Sequence, residues 1–433
     1  MLDKILKKDI FLVLWCIIAA FGVYFCTYAF RKPFNAGVYE GYELFGIGYK
    51  TVLIISQMLG YIISKFSGIK FISELKPQNR ILLILILVGF SELALIGFGL
   101  AGHPYNFIFM FLNGLPLGLI FGIIFSFLEG RRFTEMLSLG LSISMIIGSG
   151  MLKSVYFFIR GIFQIDEFWM PATEGFVFVV PFLFFVWMLS RIPPQNKEDI
   201  DQRTKRDPMN RADKRRVIAT FGAGILCIVV INAILTLCRD FRDDFMVEIA
   251  HETGIDNSMG IFSRIETGIG LFVLLVVGAL SLIRSNEKSF ACMHLIIFFG
   301  LILLSTSSLA YVNGIISSLT WFICIGCGLF LSYIIIQSVY FDRFIALFKL
   351  KANAGFLIYI SDSAGYVCSV LLLLFREFFA SEVHYSNILL YTSCGVSIIG
   401  LICLIIGGTY FHIKLKNRDI RVRYRKHPDI ITT

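Results

Sequence analysis

The sequence predicts an all-α membrane protein in which twelve transmembrane helices form two pseudo-symmetric six-helix bundles. Three observations lead to this prediction. Of the 433 residues, 57% are hydrophobic and the mean hydropathy is +0.79, which is too apolar for a water-soluble domain of this length. The apolar residues fall into twelve runs of about 20 residues, the length that crosses a bilayer as a helix. One long polar segment near the midpoint separates six runs from the other six.

The first apolar run, residues 9–30, follows a short basic segment, as the apolar core of a signal peptide would. It is longer than such a core, and no small-x-small cleavage site follows it. We therefore interpret it as a retained first helix. The other eleven predicted helices lie near residues 50–72, 80–100, 106–127, 137–160, 174–192, 217–239, 258–283, 290–311, 315–341, 353–375 and 387–412.

The central polar segment divides the chain into predicted domains. Residues 1–192 form the N-terminal bundle, residues 193–216 a charged, proline-containing cytoplasmic linker, and residues 217–413 the C-terminal bundle. Residues 414–433 form a basic cytoplasmic tail. Two six-helix halves related by an axis along the membrane normal are a known plan of secondary transporters. If the halves are related in this way, the first helix corresponds to the seventh.

The distribution of Lys and Arg predicts the orientation in the membrane. With both termini placed in the cytoplasm, the cytoplasmic segments carry 30 of the 39 basic residues, as the positive-inside rule expects. The net charge of +9 therefore reflects topology and does not indicate a nucleic-acid partner. We expect a multi-pass monomer in the cell (inner) membrane, whose partners are the lipid bilayer and a small-molecule substrate.

The sequence contains no pattern that indicates an enzyme or a cofactor. There is no nucleophile elbow, P-loop or H-x-x-x-H motif. The ten cysteines lie almost entirely inside apolar runs, and no His/Cys cluster has the spacing of a metal site. We expect neither disulfides, nor a metal, nor a cofactor.

Two arginines occupy corresponding positions in the two predicted bundles. Arg31 lies at the end of the first apolar run and Arg239 near the end of the seventh. Guanidinium groups stay charged and bind phosphate or carboxylate oxygens bidentately, so an anionic ligand between the bundles explains the pair. Alternatively, both arginines extend to the membrane surface and pair with Asp240, Asp243 or Asp244.

Five segments resemble the organophosphate:phosphate antiporters of the major facilitator superfamily, which include the glycerol-3-phosphate and hexose-phosphate transporters. The first is Y-A-F-R-K-P-F at residues 28–34, and the second is Y-I-I-S-K-F at residues 61–66, followed by Gly68, S-E and Arg80. In the seventh helix the likeness rests on Asn232, Arg239, Asp244 and Phe245. Weaker similarity covers residues 328–333 and 351–356.

This resemblance implies a site and an activity. It implies that Arg31 and Arg239 hold the phosphate group of a phosphorylated organic anion that is exchanged for inorganic phosphate. The side chains implied to add positive charge or to line the cavity are Lys32, Lys65, Tyr28, Tyr61 and Tyr333. From its sequence position alone, Lys65 either lines the cavity or extends to the cytoplasm.

Three further charged residues lie within the predicted helices, and two of them, Lys153 and Asp362, depart from the family pattern. Lys153 lies deep in the fifth helix and either binds the substrate or pairs with an acid. Asp362, in the middle of the eleventh helix, carries a proton, binds a cationic part of the substrate or pairs with a lysine. Glu92, in the third helix, forms a structural hydrogen bond or takes part in proton coupling.

The function predicted from these observations is secondary active transport by alternating access. Two alternatives stay open. One is proton-coupled transport of another organic anion, with Asp362 or Glu92 as the proton site. The other is a transporter-like organophosphate sensor that moves no ligand and docks a partner through the basic segment 414–428.

Overall fold

The computed structural model describes residues 9–74, 77–128, 134–193, 211–255, 260–280, 282–283, 285–350, 352 and 354–426. Within these residues, twelve helices are long and apolar enough to cross a membrane, which confirms the predicted number. They are α1 (Asp9–Ala29), α2 (Tyr49–Glu74), α3 (Arg80–Leu100), α4 (Phe107–Leu128), α5 (Thr134–Phe163), α6 (Met170–Ser190), α7 (Arg211–Asp244), α8 (Ile261–Leu280), α9 (Asn286–Val312), α10 (Ser318–Phe348), α11 (Ala354–Phe379) and α12 (Tyr385–Lys426).

Several helices are longer than their apolar runs. Helix α7 begins at Arg211, inside the predicted linker, and α12 continues to Lys426, inside the predicted tail. Polar and charged residues continue a helix outside the bilayer, where water satisfies their side chains, so hydropathy alone underestimates these ends. Most of the linker, residues 194–210, and the end of the tail, residues 427–433, lie outside the described residues.

The remaining described elements are short. A 3₁₀ helix (Pro33–Ala36) follows α1, and a β-hairpin of β1 (Glu43–Leu44) and β2 (Ile47–Gly48) precedes α2. A short helix (Met246–Glu252) follows α7. We call the face of the bundle where α1 ends and α2 begins the distal face. The opposite face, where α1 begins and α12 ends, is the terminal face.

The pattern of helix packing repeats between the two halves of the chain. In the first half, α1 packs against α4, α5 and α6, α2 against α4, and α3 against α4 and α6. The six corresponding pairs of the second half, from α7 with α10, α11 and α12 to α9 with α10 and α12, also pack together. This repetition supports the predicted two-bundle organisation.

Among the described residues, α5 packs against α8 and α2 against α11 across the halves, and α5 also contacts α10. Small residues allow α5 and α8 to approach closely. A Cβ atom at Gly150 would collide with the Phe262 carbonyl oxygen and the Glu266 side chain, and one at Gly270 would lie 2.9 Å from Ile147 Cγ1. The side chains predicted to bind the substrate therefore lie in or beside a tightly packed interface.

Candidate functional site

Arg31 is held in place by side chains that bind the end of α1. A helix leaves its last carbonyl groups without intrahelical partners. The Gln57 amide donates a hydrogen bond to the Arg31 carbonyl at 2.8 Å, and the Asn113 amide donates one to the Phe30 carbonyl at 2.9 Å. A third bond, from Gln57 to Asn113 at 2.7 Å, links these two amides. Helices α2 and α4 thus fix the backbone from which Arg31 extends.

The Arg31 guanidinium lies among tyrosine rings and has no acidic partner. Its Cζ atom is 4.1 Å from the centroid of the Tyr61 ring and 5.9 Å from that of Tyr28. Only 7% of the residue is exposed, and its Nε atom has no hydrogen-bond partner. Among the described residues, no carboxylate lies within salt-bridge distance of Arg31. A buried cation without a counter-ion is energetically costly. Arg31 is therefore a candidate site for an anion.

Arg239 has the same kind of ring contact but also carries its own counter-ion. Its Cζ atom lies 4.3 Å from the centroid of Tyr333, while its Nη2 and Nε atoms lie 2.7 and 3.1 Å from one oxygen of Asp240. The other oxygen of Asp240 accepts a hydrogen bond from Ser369 of α11 at 2.9 Å. Asp240 therefore compensates the charge of Arg239, whereas Arg31 has no such partner among the described residues.

Two tyrosines connect the arginines into one site. Tyr28 of α1 and Tyr366 of α11 each interact electrostatically with both Arg31 and Arg239. The Tyr61 and Tyr366 rings contact each other at a centroid distance of 4.8 Å. We call the set Arg31, Arg239, Asp240, Tyr28, Tyr61, Tyr333 and Tyr366 the arginine site. It lies where α1, α2, α7, α10 and α11 meet.

Lys65 and Asp362 form an ion pair between the bundles. The Lys65 Nζ atom lies 2.7 Å from one oxygen of Asp362, and the amide of Gln337 donates to the other oxygen at 2.8 Å. Gln337 belongs to a π-helical segment of α10, Ile336–Tyr340, an irregularity that often marks functional positions. The four rings around the ammonium group, at 5.4–5.9 Å, are those of Tyr61, Phe121, Tyr359 and Tyr366.

Two further lysines are paired in a polar network near the distal face. Lys32 forms salt bridges with Asp244 and, at 3.1 Å, with Asp243. Lys153 pairs with Asp243 at 2.8 Å and donates to the Ser149 hydroxyl at 2.8 Å. We call these residues, Lys32, Lys153, Ser149, Asp243 and Asp244, the distal network. It joins α1 and α5 of the first half to α7 of the second.

Another buried ion pair lies within the second half. Arg242 Nη2 is 2.8 Å from Glu266 Oε1, and both side chains are 1% exposed. Neither Glu266 oxygen accepts a hydrogen bond, so Coulomb attraction carries this contact. The Arg242 guanidinium also lies 4.1 Å from the centroid of Phe322. This pair links α7 to α8, the helix that packs against α5.

Two glutamates of the first bundle have unsatisfied oxygens. Glu174 of α6 has no exposed surface, and neither carboxyl oxygen has a hydrogen-bond partner. Glu92 of α3 is partly buried, with one unpaired oxygen beside Gly175 of α6. Glu92 thus lies between α3 and α6, away from the arginine site.

The structure separates the predicted site residues into groups. It brings Arg31, Arg239, Tyr28, Tyr61 and Tyr333 together. Lys32, Lys65 and Lys153 instead have carboxylate partners, and Asp362 takes the lysine-paired arrangement among its three alternatives. The sequence interpretation missed Tyr366, Gln57, Asn113 and Glu174. Tyr366 had a detectable signal, because it lies one turn after Asp362 on the same helix face.

A family model described as a family of unknown function, DUF5690, matches residues 33–414. The chain belongs to the DUF5690 family. No curated protein sequence matches this DUF5690 chain.

Solved structures similar to this DUF5690 chain share its fold. A bacterial homologue of the human lysosomal transporter Spinster, inward-facing and unoccupied, matches with a TM-score of 0.59 and 11% identity over 93% of this chain and 97% of that one. The proton:xylose symporter XylE of the major facilitator superfamily, bound to 6-bromo-6-deoxy-D-glucose, matches with a TM-score of 0.58 and 13% identity over 92% of this chain and 95% of that one. A bacterial homologue of the human drug peptide transporters PepT1 and PepT2 matches with a TM-score of 0.59 and 11% identity over 94% of this chain and 99% of that one. The predicted major facilitator fold is confirmed.

Proposed function

We propose that this protein is a secondary transporter of a small organic anion, which binds at Arg31 and is carried by alternating access. The observation that carries the proposal is the buried Arg31 guanidinium, which has no acidic partner among the residues that the structure describes. The motif resemblance favours a phosphorylated compound exchanged for inorganic phosphate. The similar solved structures are of transporters by their own descriptions, which supports transport over an enzymatic role.

The arrangement offers separate contacts to the two parts of such a substrate. A phosphate oxygen pair matches the planar fork of the Arg31 guanidinium. Tyr28 and Tyr366 each interact electrostatically with Arg31 and Arg239, and their hydroxyl groups can donate hydrogen bonds to an anion bound there. Asn232 of α7, two turns before Arg239 on the same helix face, is fully buried with no partner for its amide and can bind polar groups of the organic part.

The charge of Arg31 also explains why exchange should be faster than net transport. Closing the empty protein leaves the cation buried without compensation, which is costly. A bound anion removes this cost, so the loaded protein changes conformation readily and the empty one slowly. Exchange of one anion for another needs only loaded states.

Counterflow in proteoliposomes tests this proposal. Vesicles loaded with unlabelled inorganic phosphate should take up labelled phosphate or a labelled organophosphate from a panel, and unloaded vesicles should take up far less. Binding without any counterflow would support the sensor alternative. Equal uptake into loaded and unloaded vesicles would contradict obligatory exchange.

Proton coupling through Asp362 is the second candidate, and the structure favours a structural role for this residue. Both Asp362 oxygens have partners, Lys65 of α2 and Gln337 of α10, so this carboxylate holds a contact between the two bundles. We expect Asp362→Asn to reduce phosphate exchange and pH-gradient-driven uptake by similar factors. If the variant lost only the uptake driven by the pH gradient, Asp362 would be the proton site.

The orientation in the membrane is also proposed, with the terminal face in the cytoplasm. Residue 205, outside the described residues, lies in the basic linker, whereas Glu43 is an exposed residue of the hairpin on the distal face. In intact cells, an impermeant thiol reagent should label Glu43→Cys, and Lys205→Cys only after permeabilisation. The reverse pattern would invert the topology.

A further inference from the structure

The interface between the two bundles contains one more cation than carboxylates. Around the arginine site and the distal network, the described cations are Arg31, Lys32, Lys65, Lys153 and Arg239, and the carboxylates are Asp240, Asp243, Asp244 and Asp362. Lys50 and Glu248, a further buried pair across the halves, balance each other. The carboxylates can be matched one to one with the other four cations. Arg31 is the cation left over, and the described part of the interface therefore carries one uncompensated positive charge.

Glu174 would change this balance if it were ionised. The groups that interact with its carboxyl are Lys153 and Tyr156, both on α5, while Glu92 of α3 lies against the neighbouring Gly175. Among the described residues, no titratable side chain of α1 or of the 3₁₀ helix, which also pack against α6, interacts with it. A fully buried carboxylate without a hydrogen bond is costly, so we count Glu174 as protonated and neutral.

Asp240 keeps Arg239 from acting as a second free cation. One Asp240 oxygen accepts from two nitrogens of Arg239, and the other accepts from Ser369. An incoming anion that displaced Asp240 would leave a buried carboxylate with only a hydroxyl partner. An anion that approached without displacing it would meet a like charge. Both outcomes penalise a second negative charge on the ligand more than the first.

We propose that Asp240 sets the charge of the substrate, so that the arginine site accepts an oxoanion with one net negative charge and disfavours a doubly charged one. The substrate class is then a singly charged phosphate, sulfonate or carboxylate group on a small organic molecule. This rests on the proposed anion site at Arg31 and adds a specificity-determining residue to it. A sequence pattern of two arginines alone would instead suggest two positive charges for the ligand.

The test uses two small tetrahedral anions of fixed charge, methanesulfonate with one negative charge and sulfate with two. Calorimetric titration of the purified full-length protein should give at least about tenfold tighter binding of methanesulfonate, because like charges that meet in a buried site cost several kcal/mol. In Asp240→Asn, the affinity for sulfate should rise at least about tenfold relative to the affinity for methanesulfonate, for the same reason. Glu174→Gln should leave the ratio unchanged, since a protonated carboxyl and an amide are both neutral.

A matched control adds the same charge elsewhere in the interface. Asp244→Asn removes a partner of Lys32 and leaves Arg239 paired. We expect it to change the methanesulfonate-to-sulfate ratio much less than Asp240→Asn. If Asp240→Asn fails to fold, Ser369→Ala should shift the ratio in the opposite direction by a smaller factor, because Asp240 then keeps its negative charge without the hydroxyl that stabilises it.

The outcomes distinguish this proposal from the one on which it rests. An unchanged ratio in Asp240→Asn, or in Ser369→Ala where Asp240→Asn does not fold, overturns the role of Asp240 if Arg31→Lys still loses both anions. A shifted ratio in Glu174→Gln overturns the charge balance. Binding of both anions that is indifferent to Arg31→Lys overturns the anion site itself.

Discussion

Arg31→Lys should lower the affinity for phosphate or an organophosphate by about two to three orders of magnitude while the protein remains folded. Lysine keeps the charge but loses the planar fork that binds two oxygens at once. Removing one partner of a buried, hydrogen-bonded charge pair costs about 2–5 kcal/mol, and each 1.4 kcal/mol is about tenfold in affinity. Equilibrium binding of labelled ligand to purified protein measures the loss.

Two other variants provide controls for this result. Arg239→Lys should cost less, about tenfold, because Asp240 already compensates this arginine and the ligand gains less from it. Lys32→Gln should weaken the distal network and leave ligand affinity close to that of the wild type, since Asp243 and Asp244 hold this lysine. If Arg31→Lys bound as tightly as the wild type, Arg31 would be a structural helix end.

Arg242→Met should lower the free energy of unfolding by about 3–5 kcal/mol. The substitution leaves the Glu266 carboxylate buried without a counter-ion, and breaking a buried pair in this way is strongly destabilising. Both side chains are 1% exposed, so water cannot compensate the lost partner. Denaturation of the detergent-solubilised protein, followed by circular dichroism, measures the change.

The double variant Arg242→Met with Glu266→Leu should regain most of this stability, since it leaves no buried charge unpaired. Arg160→Met is the exposed control. Its pair with Glu167 spans 3.5 Å and the arginine side chain is 44% exposed, so the expected loss is below about 1 kcal/mol. Equal losses from Arg242→Met and Arg160→Met would show that the buried pair contributes no more to stability than the exposed pair.

The fold could be predicted from the sequence because the bilayer imposes a length and a polarity on each helix. Twelve apolar runs were sufficient to predict the number of helices. The predicted α7 began too late and the predicted α12 ended too early. The helices extend to Arg211 and Lys426, which lie outside the apolar runs. The π-helical segment of α10 could not be predicted from hydropathy, because it differs from an α-helix in its hydrogen-bond pattern.

The candidate site was only partly predictable, because ion pairing depends on contacts between distant parts of the chain. The partners Lys32 and Asp244 are 212 positions apart, and Lys65 and Asp362 are 297 positions apart. A sequence shows that each residue is charged at membrane depth but does not show which opposite charge faces it. Arg31 and Tyr61 were predicted as site residues from the family resemblance, whereas the compensation of Arg239 by its neighbour Asp240 was only one of several alternatives.

The central claim, that a single free guanidinium anchors the substrate, is tested most directly by locating a bound anion. Dimethylarsinate is a tetrahedral oxoanion with one negative charge, and its arsenic atom can be located by anomalous diffraction from crystals of the full-length protein. The account predicts an arsenic peak beside Arg31, with oxygens about 2.7–2.9 Å from the guanidinium nitrogens and Asp240 still bound to Arg239. A peak at Arg239 with Asp240 displaced, or no peak in the arginine site at saturating concentration, would contradict it.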